Sequence, residues 1–300
     1  MPAKPITFFN RLTQRIETEA VYGEGFLRFA YENPFGGIPL HSLVKRAAFS
    51  NWYGRRMDAP ASRSKIAPFL QTYDVDTGEF ADAPDSFRTF NEFFYRKLRP
   101  QARPISAGES EVVFPADGRH LVLPDIAACG DFFIKGIRFD LAALLDDAQL
   151  AQRFAHGGML ISRLCPVDYH RFHFPFAGVP GAARRINGPL YSVSPIALRK
   201  RPSILWENKR EITVLKTPQL GDLLLLEVGA TCVGSIVQTF TPDSLVAKGD
   251  EKGYFRFGGS CFITIFEPGK IRFSDDLIEN SKAGREVYAR MGDVVAQALG

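Results

Sequence analysis

The sequence predicts an α+β protein with a β-dominated core of mainly antiparallel strands, an N-terminal helical region and a C-terminal helix. Three observations support this fold class. Apolar residues have helical spacing in the first hundred residues, short β-type runs follow from about residue 110, and prolines separate the two regions. With 300 residues, 45% of them hydrophobic and 23% charged, the chain can bury one large core or two smaller ones.

The first region, residues 1–105, is predicted to be a helical layer. Four apolar residues at the i, i+3, i+4, i+7 spacing of one helix face predict a helix: Leu40, Leu43, Val44 and Ala47. A similar spacing recurs at Phe90, Phe93 and Phe94. Ser86 and Thr89 precede this second set, and either of them could cap its helix.

Aromatic and basic residues are mixed in this region, as in LVKRAAFSNWYGRR and FNEFFYRKLRP. Two interpretations fit. In one, the aromatic side chains form a core and the Lys and Arg side chains face solvent. In the other, an amphipathic helix lies in the headgroup layer of a membrane, where its basic residues meet anionic lipid. The sequence does not choose between them, so membrane association of residues 1–105 stays an open expectation.

Residues 106–300 are predicted to form a β-rich catalytic domain. Short runs rich in Val, Ile, Leu and Phe alternate with turn residues, most clearly in EVVFPADG, GDFFIKGIRF, GDLLLLEVG and SCFITIFEPGKIRF. The boundary lies at LRPQARPIS, where prolines prevent a helix from continuing. At the end of the chain, the segment from Ala283 to Leu299 is predicted to be a terminal helix.

Composition excludes several classes of protein. The net charge of +4 is a mild excess, far from the dense basic tracts of nucleic-acid binders, so no nucleic-acid partner is expected. The four cysteines show no C-x-x-C pairing, which argues against a disulfide framework or a structural zinc site. No secretory signal is seen, and the longest apolar run, from Leu223 to Leu226, is too short to span a membrane. Any membrane contact is therefore predicted to be peripheral.

The bond between Gly259 and Ser260, in FGGSCFITIF, is the first place where chemistry is conceivable. Two glycines at the entrance of a strand-like run permit unusual backbone angles and leave the Gly259 carbonyl open to attack by a hydroxyl. Taken alone, a Gly-Gly-Ser sequence before a strand more often indicates only a turn.

The segment CPVDYHRFHFPFAG concentrates four polar residues in a chain with only five histidines: Asp168, His170, Arg171 and His173. Pro166 suits the start of a short helical turn, and FHFPF looks extended, so the change of period could aim both imidazoles at one cleft. Histidine can act as a general base and then as a general acid near neutral pH. The alternatives are structural histidines, or a metal pair whose third ligand would be His120, His156 or Asp117.

Asp117 lies in the segment FPADGRH, where a Pro-Ala-Asp-Gly sequence would ordinarily indicate turn chemistry. Asp117 is a candidate site residue because it could act together with the serine and histidines described above. Ser, His and Asp together can provide a nucleophile, a base and an orienting carboxylate, and such sets are recognised by geometry rather than by order along the chain.

Several segments, in order, resemble one known family, the pyruvoyl-dependent phosphatidylserine decarboxylases, in their bacterial type without a spanning anchor. The matching segments are FNEFFYRKLRPQARP, FPADG, FFIKG, CPVDYHRFHFP, GPLYSVSPIAL, WENKRE, EVGATCVGSI, KGDEKGYFRFGGS and FITIF. The resemblance runs along nearly the whole chain after its first few dozen residues. One such match would be weak evidence, whereas this many in collinear order is specific.

The resemblance implies a proenzyme that cuts itself into residues 1–259, the β subunit, and residues 260–300, the α subunit. Ser260 would become a covalent pyruvoyl group, and no metal is implied. Asp117 and His173 would activate that serine, and His170 would assist decarboxylation. Cys261 departs from the family, which often has Thr after the serine, but a small side chain is kept and processing is expected to survive.

The implied reaction converts phosphatidylserine to phosphatidylethanolamine and CO2 through a Schiff base, on the cytoplasmic face of the cell membrane. A homodimer is left open. Three alternatives remain: a pyruvoyl-dependent decarboxylase of a free amino acid, a zinc hydrolase using the histidines with Asp117, and a non-enzymatic β-rich interaction module.

Overall fold

The computed structural model describes residues 5–21, 23–33, 47–129, 139–230, 236–257 and 260–299. Its strands, labelled in chain order, are β1 Thr7–Asn10, β2 Arg15–Thr18, β3 Glu111–Val113, β4 Gly118–Leu123, β5 Met159–Leu164, β6 Arg171–His173, β7 Val179–Pro180, β8 Arg184–Ile186, β9 Arg210–Thr217, β10 Gly221–Val228, β11 Ile236–Gln238, β12 Glu251–Phe255, β13 Ser260–Phe266, β14 Ile271–Phe273, β15 Glu286–Ala289 and β16 Val294–Ala298.

Short helices precede the sheet and cover its connections. The described α-helices are α1 Glu24–Glu32, α2 Ala47–Asp58, α3 Ile66–Tyr73, α4 Phe90–Phe94, α5 Leu141–Leu145, α6 Ala148–Phe154, α7 Pro195–Lys200, α8 Ile204–Glu207 and α9 Asp275–Lys282. Short 3-10 helices lie at Pro60–Lys65, Thr77–Glu79, Pro84–Ser86 and Pro100–Ala102. Within the described ranges, no helix is both long enough and apolar enough to cross a membrane.

A ten-stranded sheet carries most of the strands, in the order β2-β1-β15-β4-β5-β13-β10-β9-β7, with β8 paired to β9. Neighbours in this sheet are antiparallel except β1 and β15, which are parallel. Two three-stranded sheets, β11-β12-β6 and β14-β16-β3, complete the described β structure. Strand β13 lies between β5 and β10 and is therefore hydrogen-bonded on both sides.

Both faces of the large sheet are buried, because alternate residues of β13 pack into two different apolar cores. On one face it contributes Cys261, Ile263 and Ile265 to a first apolar core. On the other face Phe262 and Phe266 pack into a second core. Because successive side chains in a strand point to opposite faces, a strand covered on both sides needs an almost continuous apolar sequence, as SCFITIF has.

A third core, made largely of phenylalanine, joins the helical region to the sheet. Its rings meet mostly edge to face, as the pair Phe90 and Phe93 does with 5.4 Å between centroids. Phe257, which ends the chain segment before the Gly-Gly-Ser sequence, packs into the same core. The aromatic residues of α4 are thus core residues, as one of the two interpretations of this region predicts.

The predicted fold class is confirmed, with helices near both ends of a mostly antiparallel β core. The helix at Phe90–Phe94 is also confirmed, and of its two candidate caps Thr89 is the one used: its hydroxyl accepts the backbone N–H of Glu92 at 3.1 Å. The predicted strands in EVVFPADG, GDLLLLEVG and SCFITIFEPGKIRF are confirmed as β3, β10, β13 and β14. Leu40, Leu43, Val44 and residues 130–138 of GDFFIKGIRF lie outside the described residues.

The predicted helix from Ala283 to Leu299 is wrong. The final helix, α9, ends at Lys282, and the segment instead forms β15 and β16. Gly284 has a φ of 66° and Gly292 a φ of 92°, left-handed conformations that interrupt a helix. A side chain at Gly292 would also meet the carbonyl oxygen of Pro104 at 2.5 Å.

Residues 7–18 also differ from the predicted helical layer. Strands β1 and β2 form a hairpin, and β1 pairs with β15 near the other end of the chain. Such a parallel pairing between remote segments has no local sequence signal. The division of the chain at residue 105 remains a prediction.

Candidate active site

Ser260 is the first residue of β13 and is completely buried. It lies opposite Leu164 of β5, and the next residue, Cys261, lies opposite Val228 of β10. These ladders fix the backbone at the start of the strand. Gly258 and Gly259, and with Gly259 the predicted bond to be cut, lie outside the described residues.

His170 lies within hydrogen-bonding distance of Ser260, with 3.3 Å between its Nδ1 and the serine Oγ. Its other nitrogen, Nε2, lies 2.9 Å from the carbonyl oxygen of Cys165. A carbonyl oxygen can only accept, so Nε2 carries the proton and donates. In the neutral ring Nδ1 is then free to accept the serine proton. His170 therefore has the tautomer that a base toward Ser260 needs.

The surroundings keep His170 in its neutral form. Burial lowers the pKa of its imidazole to about 3, and the positive charge of Arg96 acts in the same direction. The ring of Phe94 stacks on it with 3.8 Å between centroids, which fixes the plane of the imidazole. An unprotonated, oriented imidazole is consequently available at neutral pH.

An ion pair supports the turn that aims His170. The carboxylate of Asp168 accepts the backbone N–H of Cys165 at 2.6 Å, which closes the turn between β5 and β6. Nη1 of Arg119 donates to both oxygens of Asp168, at 2.7 and 2.6 Å. All of these groups are buried, so the charges are neutralised where water cannot solvate them.

His173, at the end of β6, makes two other hydrogen bonds. Its Nδ1 donates to the carbonyl oxygen of Gly249 at 2.9 Å, and its Nε2 accepts from the hydroxyl of Tyr169 at 3.2 Å. Burial lowers its pKa, whereas the hydrogen bond to Gly249 and the charges of Glu251 and Asp117 act in the opposite direction. The backbone N–H of His173 donates to the carbonyl oxygen of Pro115 at 2.7 Å, so β6 runs beside the PADG turn.

Asp117 is buried in an ion pair with Arg103. The guanidinium donates to both carboxylate oxygens, with a shortest distance of 2.6 Å, and the backbone N–H of Met291 adds a bond of 2.8 Å. The next residue must be glycine, because a Cβ at Gly118 would lie 2.6 Å from the carbonyl oxygen of Arg163 on the neighbouring strand. The PADG sequence thus brings a carboxylate against the sheet.

The structure brings together Ser260 and His170, and it places Asp117 beside the strand of His173. No hydrogen bond joins either Asp117 or His173 to Ser260 within the described part of the chain. Their predicted roles remain predictions. Sequence reasoning named Phe94 only as a residue of a predicted helix and did not name Arg103. Both lie in the segment FNEFFYRKLRPQARP, whose match to the family was the only signal that they belong to the site.

The histidines of the alternative metal site do not converge. His120 is buried between the hydroxyl of Ser162, 2.9 Å from its Nδ1, and the carbonyl oxygen of Ala289. His156 is exposed and pairs with Asp125 at 3.2 Å. Among the described residues, no group of three or more His, Cys, Asp or Glu side chains is placed to hold a metal ion. The ligand set that the zinc hydrolase requires is therefore not assembled in that part of the chain.

Buried histidines make the fold sensitive to acid. Burial lowers the pKa values of His120 and His170 to about 3, while unfolded histidine titrates at about 6.5. The unfolded chain therefore binds more protons between these values, and stability falls as the pH drops through this window. Between pH 7.5 and 5.0 each histidine should cost roughly 2 kcal/mol.

Urea unfolding of the wild-type protein and of His120→Gln at these two pH values checks this expectation. The variant should lose roughly 2 kcal/mol less than the wild type on acidification, because one titrating group has been removed. His120 makes no contact with Ser260 in the described structure, so the comparison does not depend on catalysis. Equal losses in the two proteins would contradict the assignment.

Comparison with known proteins identifies the family. The sequence profile described as phosphatidylserine decarboxylase matches residues 90–297. Three similar relatives each carry the name phosphatidylserine decarboxylase proenzyme. They come from Fusobacterium nucleatum, 44% identical over 98% of both chains; Clostridium novyi, 42% identical over 98% of this chain and 100% of the relative; and Chlamydia caviae, 44% identical over 99% of both chains.

The profile spans the site from Phe94 to Ser260, and the relatives extend the similarity over the helical region as well. Both agree with the collinear motifs of the sequence. The chain belongs to the phosphatidylserine decarboxylase family.

Proposed function

We propose that this chain is a phosphatidylserine decarboxylase proenzyme that cuts itself between Gly259 and Ser260 and turns Ser260 into its pyruvoyl group. The observation that carries the proposal is the contact of 3.3 Å between the hydroxyl of Ser260 and neutral His170, at the start of a central strand. The relatives are named phosphatidylserine decarboxylase proenzyme, and this name supports both the lipid substrate and the synthesis as a proenzyme.

The cutting step follows from the position of Ser260. A base removes the hydroxyl proton, and the oxygen attacks the carbonyl carbon of Gly259. The C–N bond breaks, the nitrogen takes a proton, and an ester joins the two segments. Loss of the Cα proton then expels the carboxylate of Gly259. The unsaturated residue rearranges to an imine, and water releases ammonia to leave the pyruvoyl group.

In this proposal His173 is the base for cutting and Asp117 favours its protonated form. The support is the resemblance, together with the neighbouring positions of β6 and the PADG turn and the effect of the Asp117 charge on the pKa of His173. The step requires His173 Nε2 to leave the hydroxyl of Tyr169 and approach Ser260. Arg103 holds Asp117 in place with two hydrogen-bonding nitrogens.

His170 serves decarboxylation. A pyruvoyl group is no larger than the serine from which it comes, so the buried position can hold it, and His170 lies directly against that position. The group supplies an electrophilic ketone for the substrate amine and accepts the electrons freed when CO2 leaves. His170, fixed through Nε2 by Cys165, can take up at Nδ1 the proton that the substrate ammonium loses before its amine attacks the ketone, and can then pass that proton to the substrate carbon.

The two fragments would remain one folded unit after cutting. The smaller fragment begins with β13, which is paired along its length with β5 and β10 of the larger one. Arg163 of the larger fragment also donates to Glu286 of the smaller, with a shortest distance of 2.7 Å. We therefore take the α and β fragments to be mutual partners, whereas a homodimer stays a prediction.

We further propose that the protein acts as a peripheral protein on the cytoplasmic face of the cell membrane, where it would meet its lipid substrate. Three large apolar side chains of the N-terminal helices are about half exposed: Phe26, Phe29 and Trp52. Exposed aromatic residues on short helices suit contact with the interfacial layer of a bilayer. These exposed side chains lie in the helical region, for which the second interpretation of the sequence is a helix in the headgroup layer of a membrane.

Substrate choice separates this proposal from a decarboxylase of a free amino acid, which would use the same Ser260 chemistry. CO2 release is measured with the purified, cut protein, using vesicles that contain phosphatidylserine and, separately, free L-serine. We expect release from the vesicles and at least about a hundredfold less from serine, because binding contacts to the rest of the lipid are lost. Turnover of free serine without turnover of the lipid would reject phosphatidylserine as substrate.

A further inference from the structure

A polar cavity of about 280 Å³ adjoins the site. It lies against residues 167–169, the turn that immediately precedes His170, and Asp117 also lines it. Tyr73 and Phe80 of the helical region also line it. The cavity is therefore positioned to hold a part of the substrate that is close to the reacting atoms.

Four arginines line this cavity, and three of them have ion pairs. Arg103 pairs with Asp117 at 2.6 Å, Arg119 with Asp168 at 2.6 Å, and Arg290 with Glu79 at 3.1 Å. Arg96 differs: within the described ranges no carboxylate lies within 4.0 Å of its guanidinium. The carboxylates of six residues also line the cavity: Glu17, Asp74, Asp76, Glu79, Asp117 and Asp168. Arg103, Arg119 and Arg290 pair with Glu79, Asp117 and Asp168, which leaves Arg96 as the arginine of this lining without a carboxylate partner among the described residues.

The hydrogen bonds of Arg96 are weak and incomplete. Nη2 donates to the carbonyl oxygen of Val167 at 3.3 Å, and Nη1 reaches that of Phe93 at only 3.5 Å. Nε is buried and has no hydrogen-bond partner. A buried cation without a counter-ion is expensive, which is reflected in the fall of its pKa to about 10 on burial.

The position of Arg96 is nevertheless well defined. Its guanidinium lies over the rings of Phe80 and Phe93, at 4.7 and 5.0 Å from their centroids. Only 4% of the residue is exposed. Its charge contributes to the lowered pKa of His170, so it acts on the imidazole that contacts Ser260. A fixed, unpaired cation at this place is arranged to receive an anion from the cavity.

We infer that Arg96 binds the phosphodiester of the substrate headgroup and so positions the substrate at residue 260. The inference rests on the proposed function and adds to it the residue that recognises the headgroup. In phosphatidylserine the phosphorus is only a few bonds from the carbon that loses CO2, so its anchor must lie close to the reacting atoms. A guanidinium suits the oxygens of a phosphate geometrically.

The substrate carboxylate is the less suitable anion for Arg96. Pairing it with a buried guanidinium would stabilise the charged ground state and oppose the loss of CO2. The phosphodiester keeps its charge throughout the reaction, so holding it does not raise the barrier. Arg96 is accordingly a positioning residue, and its loss should raise KM while leaving kcat nearly unchanged.

The test compares Arg96→Met and Arg96→Lys with a matched control, Lys97→Met, which removes one charge from the exposed neighbouring residue. Cutting is followed on denaturing gels, and KM and kcat are measured on phosphatidylserine in phosphatidylcholine vesicles. Competitive inhibition is measured with glycerophosphoserine, with inorganic phosphate and with L-serine. The soluble headgroup probes Arg96 without the membrane.

We expect all three variants to be cut. In Arg96→Met, KM for the lipid and the inhibition constant of glycerophosphoserine should both rise roughly 30-fold or more, the usual cost of removing one partner of a buried charge pair. Arg96→Lys should fall between this variant and the wild type, and Lys97→Met should match the wild type. Inorganic phosphate and L-serine should inhibit the wild type much more weakly than glycerophosphoserine.

Several outcomes would overturn the inference. Unchanged KM and inhibition constants in cut Arg96→Met would show that Arg96 does not bind the headgroup. Equal inhibition by inorganic phosphate would indicate a general anion site. If neither Arg96 variant folds and is cut, Arg96 is a structural residue and the inference is wrong. Absence of lipid turnover in the wild type would instead reject the proposed function.

Discussion

Ser260→Ala is expected to yield one uncut chain of 33.4 kDa without decarboxylase activity. Alanine lacks the hydroxyl that attacks the Gly259 carbonyl, and no pyruvoyl group can form from it. The loss should be complete rather than partial, because the same residue supplies both the nucleophile and the later electrophile. Denaturing gels and CO2 release from phosphatidylserine vesicles measure the two effects.

Cys261→Ala is the matched control for this variant. It truncates the neighbouring residue of the same strand, and its side chain points into the core on the opposite face of the sheet. We expect it to be cut and active, with some loss of stability from the smaller core residue. If Ser260→Ala were cut, or if it kept activity, Ser260 could not be the source of the catalytic group.

His170→Ala and His173→Ala are expected to separate cutting from decarboxylation. His170→Ala should be cut yet turn over lipid roughly 10²- to 10⁴-fold more slowly, the usual effect of losing a general acid or base. His173→Ala should stay uncut and therefore inactive. The exposed residue His156, changed to alanine, is the control and should behave as the wild type. Cut fraction and turnover per cut molecule are the two measurements.

The direct contact of His170 with Ser260 makes this comparison decisive. If His170→Ala stays uncut, the contact at 3.3 Å serves the cutting step and His170 takes the role proposed for His173. If His173→Ala is cut normally, His173 has no part in activating Ser260. Either result would change the assignment of the two imidazoles without affecting the role of the serine.

Asp117 belongs to the same set of variants, because Asp117→Asn is expected to stay uncut as His173→Ala does. Its carboxylate also forms the ion pair with Arg103, so loss of cutting could follow from disrupted packing. Arg103→Gln removes the same ion pair but keeps the carboxylate. Cutting in Arg103→Gln and not in Asp117→Asn would show that the carboxylate itself is required.

The sequence predicted the fold class better than it predicted the arrangement of the site residues. Thr89 and the aromatic spacing after it carried a local signal for α4, and SCFITIF had the continuous apolar pattern of a strand buried on both faces. The segment from Ala283 consists of short apolar runs that fit a helix or a strand equally well, and the left-handed glycines Gly284 and Gly292 are what interrupt a helix there.

The arrangement within the site depends on contacts between remote segments. Ser260 and His170 are 90 positions apart, and Asp117 meets Met291 across 174 positions. Motif order could indicate that these residues belong to one site but not which imidazole touches the serine. The unpaired state of Arg96 is a property of three-dimensional packing alone, since nothing in FYRKLRP distinguishes it from its basic neighbours.

The mass of the purified wild-type protein, measured under denaturing conditions, tests the central claim most directly. The account predicts two polypeptides, residues 1–259 and a smaller fragment of residues 260–300 whose first residue has the mass of a pyruvoyl group instead of serine. A single intact chain of 33.4 kDa that decarboxylates phosphatidylserine would contradict it.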